Sequence, residues 1–183
     1  MFKKIGMACA TLALAIGVAA PALATNSSIG FVVIRGDGFQ EVPTAVFTHG
    51  TAKLWLLDRG GDGIQFDFRF RNLQGDIANS VGAHIHFGRP GITGGIAAFV
   101  CGTVALPGPP GTPECTSDGN GNGRIHGTIT DADVLALDAQ GFPGNDLDAL
   151  RKIIRTGSVY LNVHTDAFPA GEVRGDLARR SYR

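Results

Sequence analysis

Apolar and polar residues alternate with a period of two in several short segments of the chain. In residues 64–71, isoleucine and three phenylalanines occupy the even positions, and polar or charged residues occupy the odd ones. Because successive side chains of a strand point to opposite faces, one face of this segment packs on a core and the other meets water. The pattern therefore predicts a half-buried β-strand.

Other segments with similar alternation are separated by turns rich in glycine, of which the chain holds 27. These segments are residues 29–34, 50–58, 81–87, 96–101, 124–130, 159–164 and 172–177. About eight short strands joined by turns are typical of an all-β domain. We therefore expect a Greek-key-like β-sandwich or barrel of antiparallel strands.

Two helical segments interrupt the strand pattern between residues 131 and 156. The second has Asn145 as a cap, aspartates in its first turn, basic residues in its last turn and Gly157 as its stop. These are the start and stop signals of a helix. The first segment, Asp131 to Asp138, is shorter, with Thr130 as its cap. We expect this helical insertion to lie across an open end or edge of the sheet.

The first residues have the features of a secretory signal peptide. Lys3 and Lys4 precede an apolar run over residues 5–20, and a small-residue cleavage site ends at Ala24. We therefore expect a signal peptide over residues 1–24, a single domain over residues 25–183, and a secreted or periplasmic location. No later segment approaches the roughly 20 apolar residues that a membrane-spanning helix needs, so none is predicted.

Charge and cysteine content narrow the choice of partners and compartment. Residues 1–24 carry two of the 16 basic residues and none of the 16 acidic ones, so a slight acidic excess remains. This balance gives no reason to expect nucleic acid as a partner. Cys9 leaves with the signal peptide, and Cys101 and Cys115 remain as an even pair in an oxidising compartment. We expect them to form a disulfide.

Four stretches of the chain, taken together, resemble the CHRD (chordin) domain family in content, order and spacing. They are Gln40-Glu41-Val42-Pro43, residues 83–88 (AHIHFG), residues 160–165 (YLNVHT) and residues 168–177 (FPAGEVRGDL). The resemblance implies a secreted domain, widespread in bacteria, that has no settled biochemical activity. It therefore implies a binding or structural module with no identifiable catalytic reaction. Asp176 departs from the family, which more often has glutamine there, and the resulting Arg-Gly-Asp tripeptide is interpreted as part of a strand.

Strand parity places the histidines of three segments on one sheet face. Apolar residues occupy the odd positions of residues 81–87 and 159–163, so the intervening polar side chains project from the opposite face. A short hairpin joins the last two strands. If the strand of residues 81–87 pairs beside them, one outer face gathers His84, His86, Asn162, His164, Glu172 and Arg174.

These residues support two chemical interpretations. Three imidazoles at His84, His86 and His164 suit zinc or copper, and Glu172 is expected to complete or orient such a site. Alternatively, the side chains hydrogen-bond one another and hold the sheet in register, as do Asn162 and Arg174 in a polar patch. A third hypothesis is an extracellular adhesion or matrix component that binds an unknown protein or glycan.

A second candidate metal site is the glycine-rich segment that begins at Asp118. Its first eight residues follow the spacing of a calcium-binding loop, with glycine at the sixth position. The twelfth position is Ile129, where such a loop needs a carboxylate. We therefore expect a turn that leads into a strand. No nucleophile motif of the Gly-x-Ser-x-Gly type is present, which gives no support for nucleophilic catalysis.

Overall fold

A computed structural model describes residues 28–177 of the chain. The predicted signal peptide, residues 1–24, lies outside the described residues. Each of the eight predicted strands overlaps an observed strand, and the strand of residues 64–71 has the predicted bounds. The strands are β1 (Gly30–Asp37), β2 (Thr51–Asp58), β3 (Ile64–Arg71), β4 (Ala83–Phe87), β5 (Gly95–Cys101), β6 (Gly123–Ile129), β7 (Val159–Val163) and β8 (Val173–Asp176).

All eight strands form one antiparallel sheet in the order β5-β4-β7-β8-β1-β2-β3-β6. The two edge strands, β5 and β6, also contact each other, so the sheet curls into a nearly closed barrel. The all-β fold class predicted from the alternation is therefore confirmed, in its barrel form. Near closure also leaves little strand edge exposed to other chains.

The hydrophobic core fills the inside of this barrel. Ile34, Leu54, Phe68, Ile85 and Leu161 are almost completely buried and belong to one cluster of packed apolar side chains. Each lies at an inward position of its strand, as the alternation requires. Polar residues of the same strands therefore point to the outside of the barrel. They are exposed to solvent there unless another segment of the chain covers them.

The helical insertion contains one α-helix, α1 (Leu147–Arg155). The side chain of Asp146 accepts a hydrogen bond from the Ala149 N–H and caps the helix. Asn145, the predicted cap, instead has a left-handed backbone with φ of 52°. The apolar side of α1, including Leu150, packs into the barrel core.

The predicted first helix is absent from the region of residues 131–140, which forms two short 3-10 turns, Asp131–Asp133 and Asp138–Gln140. Between them the Leu135 N–H donates to the Ala97 carbonyl of β5 at 2.9 Å. Pairing with an edge strand satisfies the backbone there, so the tertiary contact outweighs the local helical pattern.

An ion pair fixes α1 to the end of the barrel where β2 leads into β3. The Arg151 Nε atom lies 3.0 Å from Asp58 Oδ2, and the same guanidinium donates to the Gly61 carbonyl at 2.6 Å. Both charged side chains are buried. The helix therefore covers one end of the barrel, consistent with the predicted position of the insertion.

A disulfide joins Cys101 and Cys115, with their Cα atoms 5.0 Å apart, as predicted. It closes the loop that follows β5 and indicates folding in an oxidising compartment. Closing a loop of this length stabilises the fold by about 3 kcal/mol on the chain-entropy model. None of the helices within residues 28–177 is long and apolar enough to cross a membrane.

Candidate metal centre

Three imidazoles from two adjacent strands converge on the outside of the barrel. His84 and His86 lie on β4, and His164 directly follows β7. Strands β4 and β7 pair antiparallel, with His84 opposite Asn162 and Ala83 opposite Val163. One candidate ligand nitrogen from each of the three imidazoles lies within 4.8 Å of the others. The rings could hold one small cation after moving inward, because two nitrogens bound to a tetrahedral zinc lie about 3.4 Å apart.

Backbone carbonyls orient two of the imidazoles. His86 Nδ1 lies 3.0 Å from the Gly94 carbonyl oxygen, and His164 Nδ1 lies 3.0 Å from the Pro169 carbonyl oxygen. Because a carbonyl oxygen only accepts hydrogen bonds, each Nδ1 atom carries the proton and each Nε2 atom keeps its lone pair. Fixing of the second nitrogen by a carbonyl is the usual support for a metal-binding histidine.

His84 is the central imidazole and has no such support. Neither of its ring nitrogens has a hydrogen-bond partner among the described residues, and His86 Nε2 also has none. Its side chain is fully buried. A buried polar group without a partner costs roughly 1 to 3 kcal/mol, so the cluster carries an uncompensated cost in the protein alone.

The cluster is buried although it lies outside the barrel core. His86 is 8% and His164 is 9% exposed. Tyr160 stacks on His86, with ring centroids 4.7 Å apart and planes at 9°, and Phe99 packs edge-to-face on His84. The sequence predicted an outer sheet face, but these aromatic rings and the loops that hold Gly94 and Pro169 cover it.

Burial lowers the pKa of all three imidazoles. The pKa of His84 is lowered to about 3 by burial, with further contributions from the neighbouring His164 and His86. Burial lowers the pKa of His86 to about 4, and burial also lowers the pKa of His164. All three rings are therefore neutral at physiological pH, which is the form that binds metals.

Glu172, predicted to support the histidines, has other partners. Its carboxylate accepts hydrogen bonds from the hydroxyls of Thr48 and Thr165 and from the backbone N–H groups of Gln74 and Gly75. Four donors saturate its oxygens, and none of these donors is an imidazole. Glu172 thus ties the β7-β8 connection to two neighbouring loops.

Arg174 and Tyr160 form a stacked extension of the cluster. The guanidinium of Arg174 lies 3.5 Å from the centroid of the Tyr160 ring, whose other neighbour is His86. Arg174 is 1% exposed, and its charge is balanced by Asp176 at 2.8 Å. Arg174, which was predicted as part of a polar patch, therefore forms a buried cation–π stack that fixes Tyr160 and, through it, His86.

Glu41 is a buried carboxyl near this site, and no pattern in the sequence predicted a role for it. Burial raises the pKa of Glu41 to about 7, against the opposing effect of Arg174. Its Oε1 atom and the Oδ1 atom of Asn162 are both buried without a partner among residues 28–177. A Cβ added to Gly171 would lie 2.7 to 2.8 Å from these two oxygens. The signal was available, because Glu41 belongs to one of the four stretches that carried the resemblance.

The segment after Asp118 forms a turn. The Asp118 carboxylate accepts hydrogen bonds from the backbone N–H groups of Asn120 and Asn122 and from the Asn122 side chain. Ile129, at the position where a calcium loop needs a carboxylate, is buried in the core at the end of β6. The glycine spacing therefore serves a tight connection into the strand.

Comparison with known proteins identifies a family. The model of the CHRD domain matches residues 34–177, which run from β1 to the residue after β8 and make up most of the chain. No curated protein and no solved structure matches the chain.

Proposed function

The chain belongs to the CHRD domain family, and we propose that it is a binding module that holds one zinc or copper ion between His84, His86 and His164. The observation that carries this proposal is the burial of His84 with both ring nitrogens unbonded, inside a cluster whose ligand atoms lie within 4.8 Å of one another. A bound cation would form coordination bonds with these nitrogens and so offset the cost of burying them without hydrogen bonds.

The donor set narrows the choice of metal. Imidazole suits zinc and copper, whereas calcium and magnesium prefer oxygen ligands. Three protein ligands leave a position at the metal for a further small ligand. Asn162 and Glu41, whose buried oxygens lack partners, border the same covered face and could hydrogen-bond a ligand there.

The purely structural alternative, in which the polar side chains hydrogen-bond one another, accounts less well for the geometry. In the described part of the chain, His86 and His164 bond to backbone carbonyls. Neither ring nitrogen of His84 has a partner in hydrogen-bonding geometry, although the nearby Val81 backbone opposes the lowering of its pKa. A network that exists to hold strands in register should pair its own members. The imidazoles here are oriented but not paired, which is the arrangement that a metal site needs.

The family and the disulfide support action outside the cytoplasm. CHRD domains are extracellular, and the Cys101–Cys115 bond requires an oxidising compartment. We place the module in the periplasm or the extracellular medium.

Metal titration of the protein, purified without a histidine tag, tests the proposal. The chain supplies its own controls, because His49 and His126 are exposed and lie outside the cluster. We expect one equivalent of Zn²⁺ or copper per chain, measured by elemental analysis and by competition with a coloured chelator. His84→Ala and His164→Ala should each weaken binding by at least 100-fold, whereas His49→Ala and His126→Ala should change it less than twofold.

Two results would overturn the proposal. One is a protein that takes up no stoichiometric Zn²⁺, Cu²⁺ or Cu⁺ while remaining folded. The other is loss of binding in the His126→Ala control as severe as in His164→Ala. Circular dichroism of each variant separates loss of the site from loss of the fold.

A further inference from the structure

One half of the outer barrel surface carries a row of exposed positive charges. The covered half, on β4, β7 and β8, holds the imidazoles. On β1, β2, β3 and β6 no loop within residues 28–177 covers the outward face, and its cationic side chains are exposed. The strand registers place Arg35 opposite Lys53, Lys53 opposite Arg69, and Arg69 opposite Arg124. Four cations therefore stand side by side across four adjacent strands.

This row is extended and follows the curve of the barrel wall. Neighbouring strands are about 4.8 Å apart, so three intervals separate Arg35 and Arg124 by on the order of 14 Å along the sheet. Arg71, exposed in the next row of β3, adds a fifth cation. Cations in a line fit a linear polyanion better than one compact anion, which needs donors that converge on a point.

The acidic residues of this face offset only part of the charge. Asp67 lies 3.0 Å from Arg69 Nε and 2.5 Å from Arg124 Nη2, and so holds both guanidinium groups in place. Asp37, at the end of β1, accepts hydrogen bonds from the Phe39 and Gln40 N–H groups. The chain as a whole has no formal net charge. This face, with five cations and two carboxylates, is therefore more positive than the average of the protein.

Arg35 and Lys53 give the fold no evident benefit, in contrast to Arg69 and Arg124, which pair with Asp67. Like charges directly opposite each other in a sheet destabilise it. Neither Arg35 nor Lys53 forms a side-chain hydrogen bond or ion pair in the structure of residues 28–177. An anionic partner would pair with these side chains and so offset the repulsion between them.

We propose that the face made by Arg35, Lys53, Arg69, Arg71 and Arg124 binds a linear acidic polysaccharide, through its carboxylate or sulfate groups. Trp55, half-buried on the same face and packed 5.0 Å from the Arg69 guanidinium, adds an apolar surface for sugar rings. The disulfide favours a glycan over a nucleic acid, because acidic polysaccharides are the common polyanions of oxidising, extracytoplasmic surroundings.

Binding of the purified full chain to three probes tests this surface. The probes are heparin for sulfate groups, polygalacturonate for carboxylate groups and a single-stranded DNA oligonucleotide of matched charge. We expect binding to at least one of the two glycans at 50 mM NaCl, weakening at least tenfold by 300 mM NaCl because screening grows with salt. EDTA and His164→Ala should leave this binding unchanged, which separates it from the metal site.

A pair of double variants with equal loss of charge supplies the control. Arg35→Gln with Lys53→Gln removes two members of the row, and Arg59→Gln with Lys152→Gln removes two exposed cations elsewhere. The first pair should weaken glycan binding at least tenfold and leave the urea midpoint unchanged or higher. The second pair should weaken binding less than twofold.

Three results would overturn the inference. They are absence of binding to both glycans at 50 mM NaCl, equal weakening in both double variants, and tighter binding of the oligonucleotide than of either glycan. The last result would identify the face as a nucleic-acid surface.

Discussion

Phe99 packs edge-to-face against His84, with ring centroids 4.6 Å apart and planes at 85°. The other side of Phe99 meets the loop closed by the disulfide, where a Cβ added to Gly108 would lie 2.9 Å from the ring. The central imidazole is therefore separated from solvent by an aromatic ring and a cross-linked loop. This packing explains how a polar ring without a hydrogen-bond partner stays buried.

Replacing His84 by leucine should stabilise the metal-free protein. The change removes two buried nitrogens without partners and leaves an apolar side chain of similar size, so we expect the free energy of unfolding to rise by roughly 1 to 2 kcal/mol. The same variant should lose any stabilisation by Zn²⁺. Urea denaturation with EDTA, and again with one equivalent of Zn²⁺, measures both effects.

The exposed His126 gives the control for this experiment. His126→Leu should leave the metal-free stability within about 0.5 kcal/mol of the parent and should keep the response to Zn²⁺. A loss of more than 1 kcal/mol in metal-free His84→Leu would show that the protein itself satisfies the imidazole, and would contradict the prediction.

The metal-free protein should lose stability through its histidines as the pH falls below 6.5. In the folded state the pKa of His84 is about 3 and that of His86 about 4, whereas both are near 6.5 when unfolded. Between pH 6.5 and pH 4 the unfolded chain therefore takes up protons that the native protein does not. From pH 7 to pH 5, His84 and His86 should each lower the free energy of unfolding by about 2 kcal/mol. Urea titrations of the parent and of His84→Leu measure the difference, and equal slopes would refute it.

Glu41 should act in the opposite direction. Its pKa is about 7 in the folded protein and near 4.5 when unfolded, so burial of this carboxyl costs stability increasingly as the pH rises from 4.5 to 7. We expect Glu41→Gln to stabilise the metal-free protein at pH 8 by roughly 1 to 2 kcal/mol, allowing for screening by solvent, and to have little effect at pH 4. Glu114→Gln, on an exposed side chain, is the matched control. A uniform effect of Glu41→Gln at both pH values would contradict the assignment.

The shared face of the histidines could be predicted from the sequence, but their burial could not. Alternation in β4 sends His84 and His86 to the same side, and antiparallel pairing with β7 brings His164 beside them. Those relationships follow from local pattern and a short list of strand pairings. Burial instead depends on Phe99 and on loops that fold back over the sheet, and irregular segments have no periodicity from which their path can be inferred.

The same distinction applies to the partners of Glu172. Val163 lies opposite Val173 and the Glu172 N–H donates to the Val163 carbonyl, so the hairpin register leads to Glu172 beside His164, as predicted. The Glu172 carboxylate nevertheless accepts hydrogen bonds from the loop at Gln74 and Gly75. Donors far away in the chain decided its direction. The segment of residues 131–138 is similar, because its backbone paired with β5 in place of forming a helix.

Loss of the disulfide should weaken both the fold and the covering of the candidate site. Cys101→Ser with Cys115→Ser releases a loop of 14 residues in sequence separation, and the chain-entropy model gives a cost of about 3 kcal/mol. Urea denaturation measures this loss, and the reduced parent protein should reproduce it. Because the loop supports Phe99 over His84, we also expect faster dissociation of Zn²⁺. A loss of unfolding free energy below about 1 kcal/mol would show that removing the disulfide adds little conformational entropy to the unfolded chain.

The buried ion pair of α1 should be sensitive to removal of one partner but tolerant of removal of both. Asp58 accepts hydrogen bonds from Arg151 and from the backbone N–H groups of Ile29 and Gly60. Burial tends to raise the pKa of Asp58, but these hydrogen bonds outweigh it and hold the pKa below its ordinary value. Arg151→Met would therefore leave an ionised carboxylate buried with only neutral donors, and should cost about 3 to 5 kcal/mol.

The double variant Arg151→Met with Asp58→Asn removes the unpaired charge and should recover at least 1 kcal/mol of that loss. The recovery stays partial, because Ile29 and Gly60 donate to different oxygens of Asp58 and the asparagine oxygen can accept from only one of them. Lys152→Met changes an exposed cation on the same helix and should alter stability by less than about 0.5 kcal/mol. Urea denaturation of the three variants at pH 7 compares them directly. A double variant less stable than Arg151→Met alone would contradict this prediction. The lost carboxylate acceptor would then matter more than the unpaired charge, and Asp58 would stabilise the barrel end mainly through its contacts with the backbone.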